Sequence, residues 1–278
     1  MSFADGGPAG YRPVMPRSDR ALLLAACLLA GGCWLRVPTA TWSRMIDLSH
    51  SFDADTIYWP SEQGFVLERE FAGITDGGYY YEAHRFRGAE HGGTHLDAPI
   101  HFAEGAAAVD ALHPSELSGP ALLIDVTGAC ERDRDYQISQ ADFLAWEAEH
   151  GPLPRSAIVL LRTGTARYWP ERARYLGTEL RGPEGVAALH FPGLDPLAAE
   201  WLVRDRRIRA IGIDTASIDY GPSRDFRSHR VLFAAGIPAF ENLANLEKLP
   251  YTGFSIVALP MKIAGGSGAP LRIVALMP

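Results

Sequence analysis

The sequence predicts a single α/β domain in which a mixed β-sheet is packed by helices. Three observations point there. Five short runs of apolar, β-branched residues are spaced along the chain. Two helices with recognisable caps lie between them. At 47% hydrophobic and 21% charged residues, the 278-residue chain has the usage of a folded globule with material for a large core. The formal net charge is −7 and no run is rich in lysine and arginine, so the electrostatic footprint of nucleic-acid binding is missing.

The N-terminus reads as an address. Arg17 and Arg20 precede Ala21 to Gly32, an apolar run of 12 residues. That is too short to span a bilayer as a helix, but it has the length of a signal-peptide core. Small residues lead into Cys33, and the segment resembles the lipobox of bacterial lipoproteins, with Ala30 where leucine is usual. The expectation is a signal peptide over 1–32, a lipidated Cys33 once it is processed, a Pro/Thr/Ser-rich linker over 33–44 and the folded domain over 45–278. The protein would then be exported, periplasmic or held at the membrane by lipid. Met15 is an alternative start, and a misassigned start would make the protein cytoplasmic. Cys27, Cys33 and Cys130 form no CxxC pair, and no disulfide framework is expected. Processing would leave Cys130 as a single, buried and inert thiol.

The domain begins at Met45-Ile46-Asp47-Leu48. The strand-like runs are Ala121 to Val126, Ala157 to Leu161, Ile208 to Ile213, Phe254 to Leu259 and Leu271 to Leu276. Their continuous apolar character suits strands covered on both faces. Ser139-Gln-Ala-Asp142 reads as a capping box opening a helix through Phe143, Leu144 and Trp146 to Gly151. Asp195-Pro196 reads as an N-cap with proline at the first helical position, followed by Leu197, Ala198, Trp201 and Leu202 on an inward face with Leu194. Arg167 to Gly193 is polar and is expected to be a long, irregular surface insertion of the kind that lines sites.

The chemistry concentrates in His91-Gly-Gly-Thr-His-Leu-Asp-Ala-Pro-Ile-His101. The chain has nine histidines, so 11 residues should hold roughly 0.4 of one, yet this window holds three and an aspartate. Imidazole and carboxylate are the nitrogen and oxygen donors that zinc and manganese take. Gly92-Gly93 and Pro99 argue against a helix, so an irregular turn should enter an extended stretch. There His95 and Asp97, two residues apart, share a face. Proline at 99 restricts Ala98 and stiffens the segment. A polar surface turn is the competing reading of these histidines.

This segment matches, residue for residue, the HxGTHxDxPxH signature of the cyclase family of metal-dependent hydrolases, which includes bacterial kynurenine formamidases and isatin hydrolases. Tyr58-Trp59-Pro60, Gly212 to Asp219 (GIDTASID), His229 and Phe240-Glu241-Asn242 resemble further family segments, over roughly residues 45 to 265. The resemblance implies a swivelling β/β/α fold, a homodimer and one or two divalent ions, zinc foremost and manganese as the alternative. It implies His91 and His95 on the first metal, His229 on the second, and Asp97 and Glu241 bridging. His101 would be the catalytic acid/base and Trp59 a substrate-binding platform. Compared with a compact kynurenine formamidase, the chain carries extra segments near Phe71 to His84 and Arg167 to Gly193.

On the residues alone, Glu241 sits in the apolar stretch Ile237 to Phe240, where an unpaired carboxylate is costly and ligation would offset the cost. A cap or salt bridge is its alternative role, a solvated basic turn that of His229 beside Arg227 and Arg230, and a core position that of Trp59. His50, His84, His113 and His150 carry no signal. His190 reads as part of a turn or as a wall of a substrate pocket, and Asp214 and Asp219 as turn stabilisers.

The expected reaction is arylformamidase-like: metal-activated water cleaves a C–N amide bond of a small-molecule substrate, as in N-formylkynurenine to kynurenine and formate, and His101 moves the proton to the departing nitrogen. Hydrolysis of a cyclic amide such as isatin on the same site is the alternative. A lipoprotein that binds a metal or small ligand without catalysis is the reading from another class. No Gly-x-Ser-x-Gly elbow and no nucleotide-binding glycine loop occurs.

Overall fold

Alternation along the apolar strands decides the architecture. In a strand, neighbouring side chains point to opposite faces. Leu123, Ile158, Leu160, Ala210, Phe240, Ile256, Leu271 and Ile273 fall into one buried cluster, whereas Leu122, Ile124, Val159, Leu161, Ile211 and Ile213 fall into another. Both faces of the sheet are therefore covered, one by the sheet itself and one by helices.

The computed structural model describes residues 43–278. The expected signal peptide, the lipidation of Cys33 and most of the linker lie outside the described residues. The strands are β1 (Arg44–Asp47), β2 (Val66–Ile74), β3 (Tyr80–Arg87), β4 (His95–Asp97), β5 (Ser118–Asp125), β6 (Gln137–Ile138), β7 (Ile158–Arg162), β8 (Gly193–Leu194), β9 (Ala210–Ile213), β10 (Ala239–Glu241), β11 (Phe254–Pro260) and β12 (Gly268–Met277). The helices are α1 (Thr127–Arg132), α2 (Gln140–His150), α3 (Arg172–Tyr175), α4 (Gly182–Ala187), α5 (Pro196–Trp201) and α6 (Arg227–Ala234).

Seven strands close on themselves in the order β12-β11-β5-β7-β9-β10-β4 and back to β12. The long β12 makes closure possible: Gly268 to Pro270 pair with β4, and residues 274 to 277 pair with β1. The sheet is mixed, with β5, β7, β9 and β10 parallel and the other neighbours antiparallel. The first cluster fills its inside. Phe143 and Trp146 of α2, Ala198 and Trp201 of α5, and Leu232 and Phe233 of α6 cover part of its outside.

All five expected strands are present, within about three residues of their expected ends. Ser139 and Asp142 form the capping box, and Gly151, at φ 85°, ends α2. Asp195 accepts from the Leu197 and Ala198 N–H groups. Leu197, however, is 62% exposed, so it does not belong to the inward face. The segment from Arg167 to Gly193 is not irregular either. It holds α3 and α4, and its Tyr175, Leu176, Leu189 and Phe191 form a third buried cluster with Ile57, against which Trp59 packs. The charged residues of this segment lie outside, except the half-buried Arg172, which donates to the Tyr58 carbonyl, and its apolar ones are spaced too widely to read as one helix face.

The other extra segment is a hairpin of β2 and β3, broken by a register shift between Arg69 and Phe71. Leu67, Ile74, Tyr80 and Phe86 are all more than half exposed. With neither face buried, no alternation of burial marks it.

Candidate metal centre

The site grows from one register. β4 runs antiparallel to β10, which sets Glu241 opposite His95 and Ala239 opposite Asp97. Leu96 and Phe240 point into the barrel, so His95, Asp97 and Glu241 point out together, and directly opposed residues are near neighbours. The expected shared face of His95 and Asp97 is therefore real, and β10 adds the third donor.

α6 supplies the fourth. Ser228, His229, Leu232 and Phe233 form its buried face, and Arg227 and Arg230 its exposed one. His229 Nε2 lies 3.0 Å from Glu241 Oε1 and 3.2 Å from Asp97 Oδ2. His95 Nε2 lies 3.1 Å from Asp97 Oδ1 and 3.5 Å from Glu241 Oε2. The irregular turn before β4 delivers His91, whose Nδ1 is 2.6 Å from Asp97 Oδ1. His101, on the short 3-10 turn Pro99–His101, stacks on the His91 ring at 3.8 Å. Gly93 sits at φ 57°, and a Cβ there would come within 2.6 Å of the Phe52 ring. Both the left-handed backbone and the close approach of that ring call for glycine at 93.

Two groups of ligand atoms, among the described residues, gather within 4.8 Å of one another: His91, Asp97 and His101, and His95, Asp97 and Glu241. His101, expected as a proton carrier, thus stands at a ligand's distance as well. His229 completes the ring of donors through its contacts to both carboxylates.

Rings that offer one nitrogen inward must hold the other. His95 Nδ1 donates to the Gly93 carbonyl at 3.0 Å. His229 Nδ1 meets Asp219 Oδ2 at 2.6 Å, and Asp219 also accepts from the Ser228 and His229 backbone N–H groups that start α6. Asp219, read from sequence as a turn stabiliser, thus orients a site histidine. Its motif carried that possibility, but the 10 residues separating it from His229 hid the pairing. Asp214 does stabilise a turn, accepting from Thr163 and Gly164 N–H. Asn242, at φ 54°, donates to the Gly93 carbonyl and accepts from the Tyr175 hydroxyl, tying the 167–193 segment to the histidine turn. The sequence marked it only as part of the family-like segment Phe240-Glu241-Asn242, with no role of its own.

The electrostatics ask for a cation. His95, Asp97, His229 and Glu241 are 2–3% exposed, and among the described residues no lysine or arginine lines the cavity. Burial pushes the Glu241 carboxyl up, and the Asp97 charge adds to it. Burial alone would lower His95, but the Asp97 carboxylate overcomes it and holds the ring at about 9. His229 is likewise held well up, its loss of solvent outweighed by hydrogen bonds to Asp219, Asp97 and Glu241. Protons on these rings balance two buried carboxylates, and a divalent ion with mixed nitrogen and oxygen donors would replace them. The residues fit such an ion.

The cavity over this floor has a volume of about 380 Å³ and is walled by Tyr58, Trp59, Phe102 and Phe226. Trp59 is half-buried and meets Phe226 at 6.1 Å and Phe191 at 6.5 Å between ring centres. His190 lies away from this cavity, paired with Asp135 at 2.6 Å on the surface. His84 pairs with Glu82 on the hairpin. Cys130 is a half-buried free thiol, pushed up to about 12 by burial and then by the charge of Asp214, which keeps it inert.

Comparison with known proteins agrees with this geometry. The family model described as Cyclase matches residues 46–220. An isatin hydrolase of Roseibium aggregatum is 33% identical over 197 residues, covering 68% of this chain and 72% of the relative. A kynurenine formamidase of Salinibacter ruber is 28% identical over 230 residues, covering 83% of this chain and 96% of the relative. The solved isatin hydrolase A of Ralstonia solanacearum superposes with a TM-score of 0.77 at 30% identity, over 95% of this chain and all of that one. With its signature segment built into a buried histidine–carboxylate floor, the chain belongs to the cyclase family of metal-dependent hydrolases.

Proposed function

We propose that the chain hydrolyses a C–N amide bond of an aromatic substrate, in the manner of an arylformamidase acting on N-formylkynurenine. The observation that carries this reading is the convergence of three buried donors and His229 on the floor of an aromatic-walled cavity. A second reading, opening of a cyclic amide of the isatin type, is favoured by the likeness to two isatin hydrolases. The bond broken is of the same kind in both.

In this reading His91 and His95 would hold one divalent ion and His229 a second, with Asp97 and Glu241 as carboxylate donors shared between them. The donors suit Zn²⁺ first and Mn²⁺ second. When bound, the ion supplies Lewis acidity, activating water and polarising a carbonyl oxygen. His101 handles the proton. Burial pushes its imidazole down to about 4, with Asp97 partly opposing, so it is neutral near pH 7 and free to accept a proton from water. The same ring then returns the proton to the departing nitrogen. Trp59 packs flat against the substrate ring, and Phe102 and Phe226 keep that side of the cavity apolar. The apolar walls exclude bulk water.

The swivelling β/β/α description belongs to this reading, supported by a mixed sheet that closes with helices outside. So does a homodimer with a small-molecule amide as the partner. We extend the reading to export: residues 1–32 are removed and a lipidated Cys33 holds the protein at a membrane, supported by the arginine-flanked apolar run. Labelled palmitate should attach to the wild type and not to Cys33→Ala; labelling of neither sinks the anchor.

The test of function is metal content, then turnover of N-formylkynurenine and isatin before and after chelation. We expect loss on chelation and recovery with Zn²⁺ or Mn²⁺, the faster substrate choosing between the readings. A metal-free protein, or turnover indifferent to chelation, overturns both. If metal binds but neither substrate turns over, a non-catalytic binding protein is the reading left.

A further inference from the structure

Among the site's imidazoles, His91 is anchored in its own way. His229 meets a carboxylate directly and His95 a backbone carbonyl, but His91 Nε2 meets the Ser267 hydroxyl at 2.9 Å, 176 residues along the chain. Ser267 Oγ in turn donates to Glu90 Oε2 at 2.7 Å. Glu90 is itself fixed, because the same oxygen accepts from the Ser267 N–H at 3.0 Å and the Gly268 N–H at 3.3 Å.

The direction of these bonds decides the state of the ring. A serine hydroxyl has one proton to give. Ser267 gives it to Glu90, so towards His91 it can only accept, and His91 must carry its proton on Nε2. In the neutral ring Nδ1 then presents a lone pair to Asp97 Oδ1 across 2.6 Å, a place that a second ring proton fills without metal and that a cation would take over. Two acceptors at that distance repel unless something positive lies between or beside them.

The surroundings hold the ring to that pose. Gly268 lies opposite Asp97 in the β12–β4 pairing, and a Cβ on it would come within 2.4 Å of His91 Cε1. The Ser267 carbonyl accepts from the Ala98 N–H at 2.9 Å. One short stretch before β12 thus touches both the ring and the strand that carries Asp97.

We propose that Ser267 and Glu90 are positioning residues that lock His91 as its Nε2–H tautomer, keeping Nδ1 and Asp97 Oδ1 together as a ready-made pair of donors for a divalent cation. The inference rests on the metal-centre reading above. It adds that the outer part of the site is held from the distant β12 end of the chain, through a hydroxyl relay to a carboxylate.

Cobalt(II) serves as the probe, with its affinity measured by chelator competition and its coordination read from the visible absorption spectrum. Ser267→Ala should weaken cobalt binding about 10- to 100-fold, as losing an outer-shell partner of a metal-bound histidine does. The spectrum should change with it. Ser267→Thr keeps the hydroxyl and should restore most of the affinity. Glu90→Gln keeps an acceptor oxygen but loses the charge, and should fall between the two. Thermal unfolding of each apoprotein guards against a general loss of fold, which would not be rescued by threonine or leave a native-like melting point. Wild-type protein that takes up no cobalt overturns the metal reading and this inference together. Wild type that binds cobalt while Ser267→Ala matches it in affinity and spectrum overturns the inference alone.

Discussion

On the inner wall of the cavity, His95, Asp97, His229 and Glu241 are nearly without solvent; the first two and Glu241 come from paired strands, and His229 from α6 packed against them. On the outer wall, the His91 side chain is 24% exposed and His101 stacks on it from a single turn. The inner wall is fixed by strand pairing and by the Asp219 brace on α6; the outer wall depends on loops and on side chains far away in sequence. Division of labour follows from physical setting. Two buried carboxylates in a low-dielectric floor cannot stay charged without a counter-cation, so that wall suits holding an ion. A ring that touches both solvent and the cavity can exchange protons, so that wall suits acid–base work.

The largest effect should come from breaking the inner wall. Asp97→Asn keeps the shape but removes a charge that faces the His91, His95 and His229 rings. We expect loss of bound metal and a fall in kcat/KM of about 10³-fold or more, the size of several kcal/mol of lost charge stabilisation. The gain in Tm on adding Zn²⁺ should vanish with it. A variant that keeps full metal content puts the charge centre elsewhere.

His101→Ala tests the outer wall and should part binding from turnover. Metal content should stay near wild type while kcat falls about 10²- to 10⁴-fold, the usual worth of a positioned acid–base group. If the metal is lost as well, His101 is a ligand, as its distance to His91 and Asp97 also allows. Asp219→Asn is a milder inner-wall change, since the amide oxygen can still accept from the start of α6. Weakening of metal affinity by about 10- to 100-fold, with a melting point near wild type, would mark Asp219 as a brace for His229. Trp59→Ala should mainly raise KM, by about 3- to 15-fold for a lost aromatic contact, and leave metal content alone.

The same contrast governs what the sequence revealed. Five barrel strands were legible because burial on both faces leaves continuous apolar runs, and β4 was legible because His95 and Asp97 keep the two-residue period; the three-residue β10 showed only as an apolar stretch before Glu241. α6 was not, because Arg227 and Arg230 on its exposed face make a buried histidine look like part of a basic turn. The brace on His229 was hidden for a different reason: hydrogen bonds between Asp219 and a later helix leave no periodic trace. Local pattern reports which face a residue takes, and says little about what meets it there. The β2–β3 hairpin escaped for want of any buried face, and the 167–193 segment because its few core residues are scattered among charged ones.

The smallest expected effect lies at the far side of the histidine turn. His50 stacks on Trp169 at 4.1 Å with an interplanar angle of 9°, and its buried Nε2 has no partner among the described residues. Its backbone N–H donates to Thr94 Oγ1 at 2.8 Å, just before the site. Burial pushes the ring down to about 4, against a modest pull upward from Asp47. The unfolded chain takes up that proton near pH 6.5, the folded chain only near pH 4, so the folded state loses stability as pH falls through this window. Above pH 6.5 both states hold a neutral ring and the penalty is absent. Allowing for the ring's partial exposure, the loss at pH 4 should be about 1–2 kcal/mol. His50→Phe keeps a stackable ring that cannot titrate. Compared with wild type, both as apoproteins, its melting temperature should fall less between pH 7 and pH 4, by a few degrees. Parallel curves would mean that acid sensitivity resides in the metal floor and that the packing behind it contributes none.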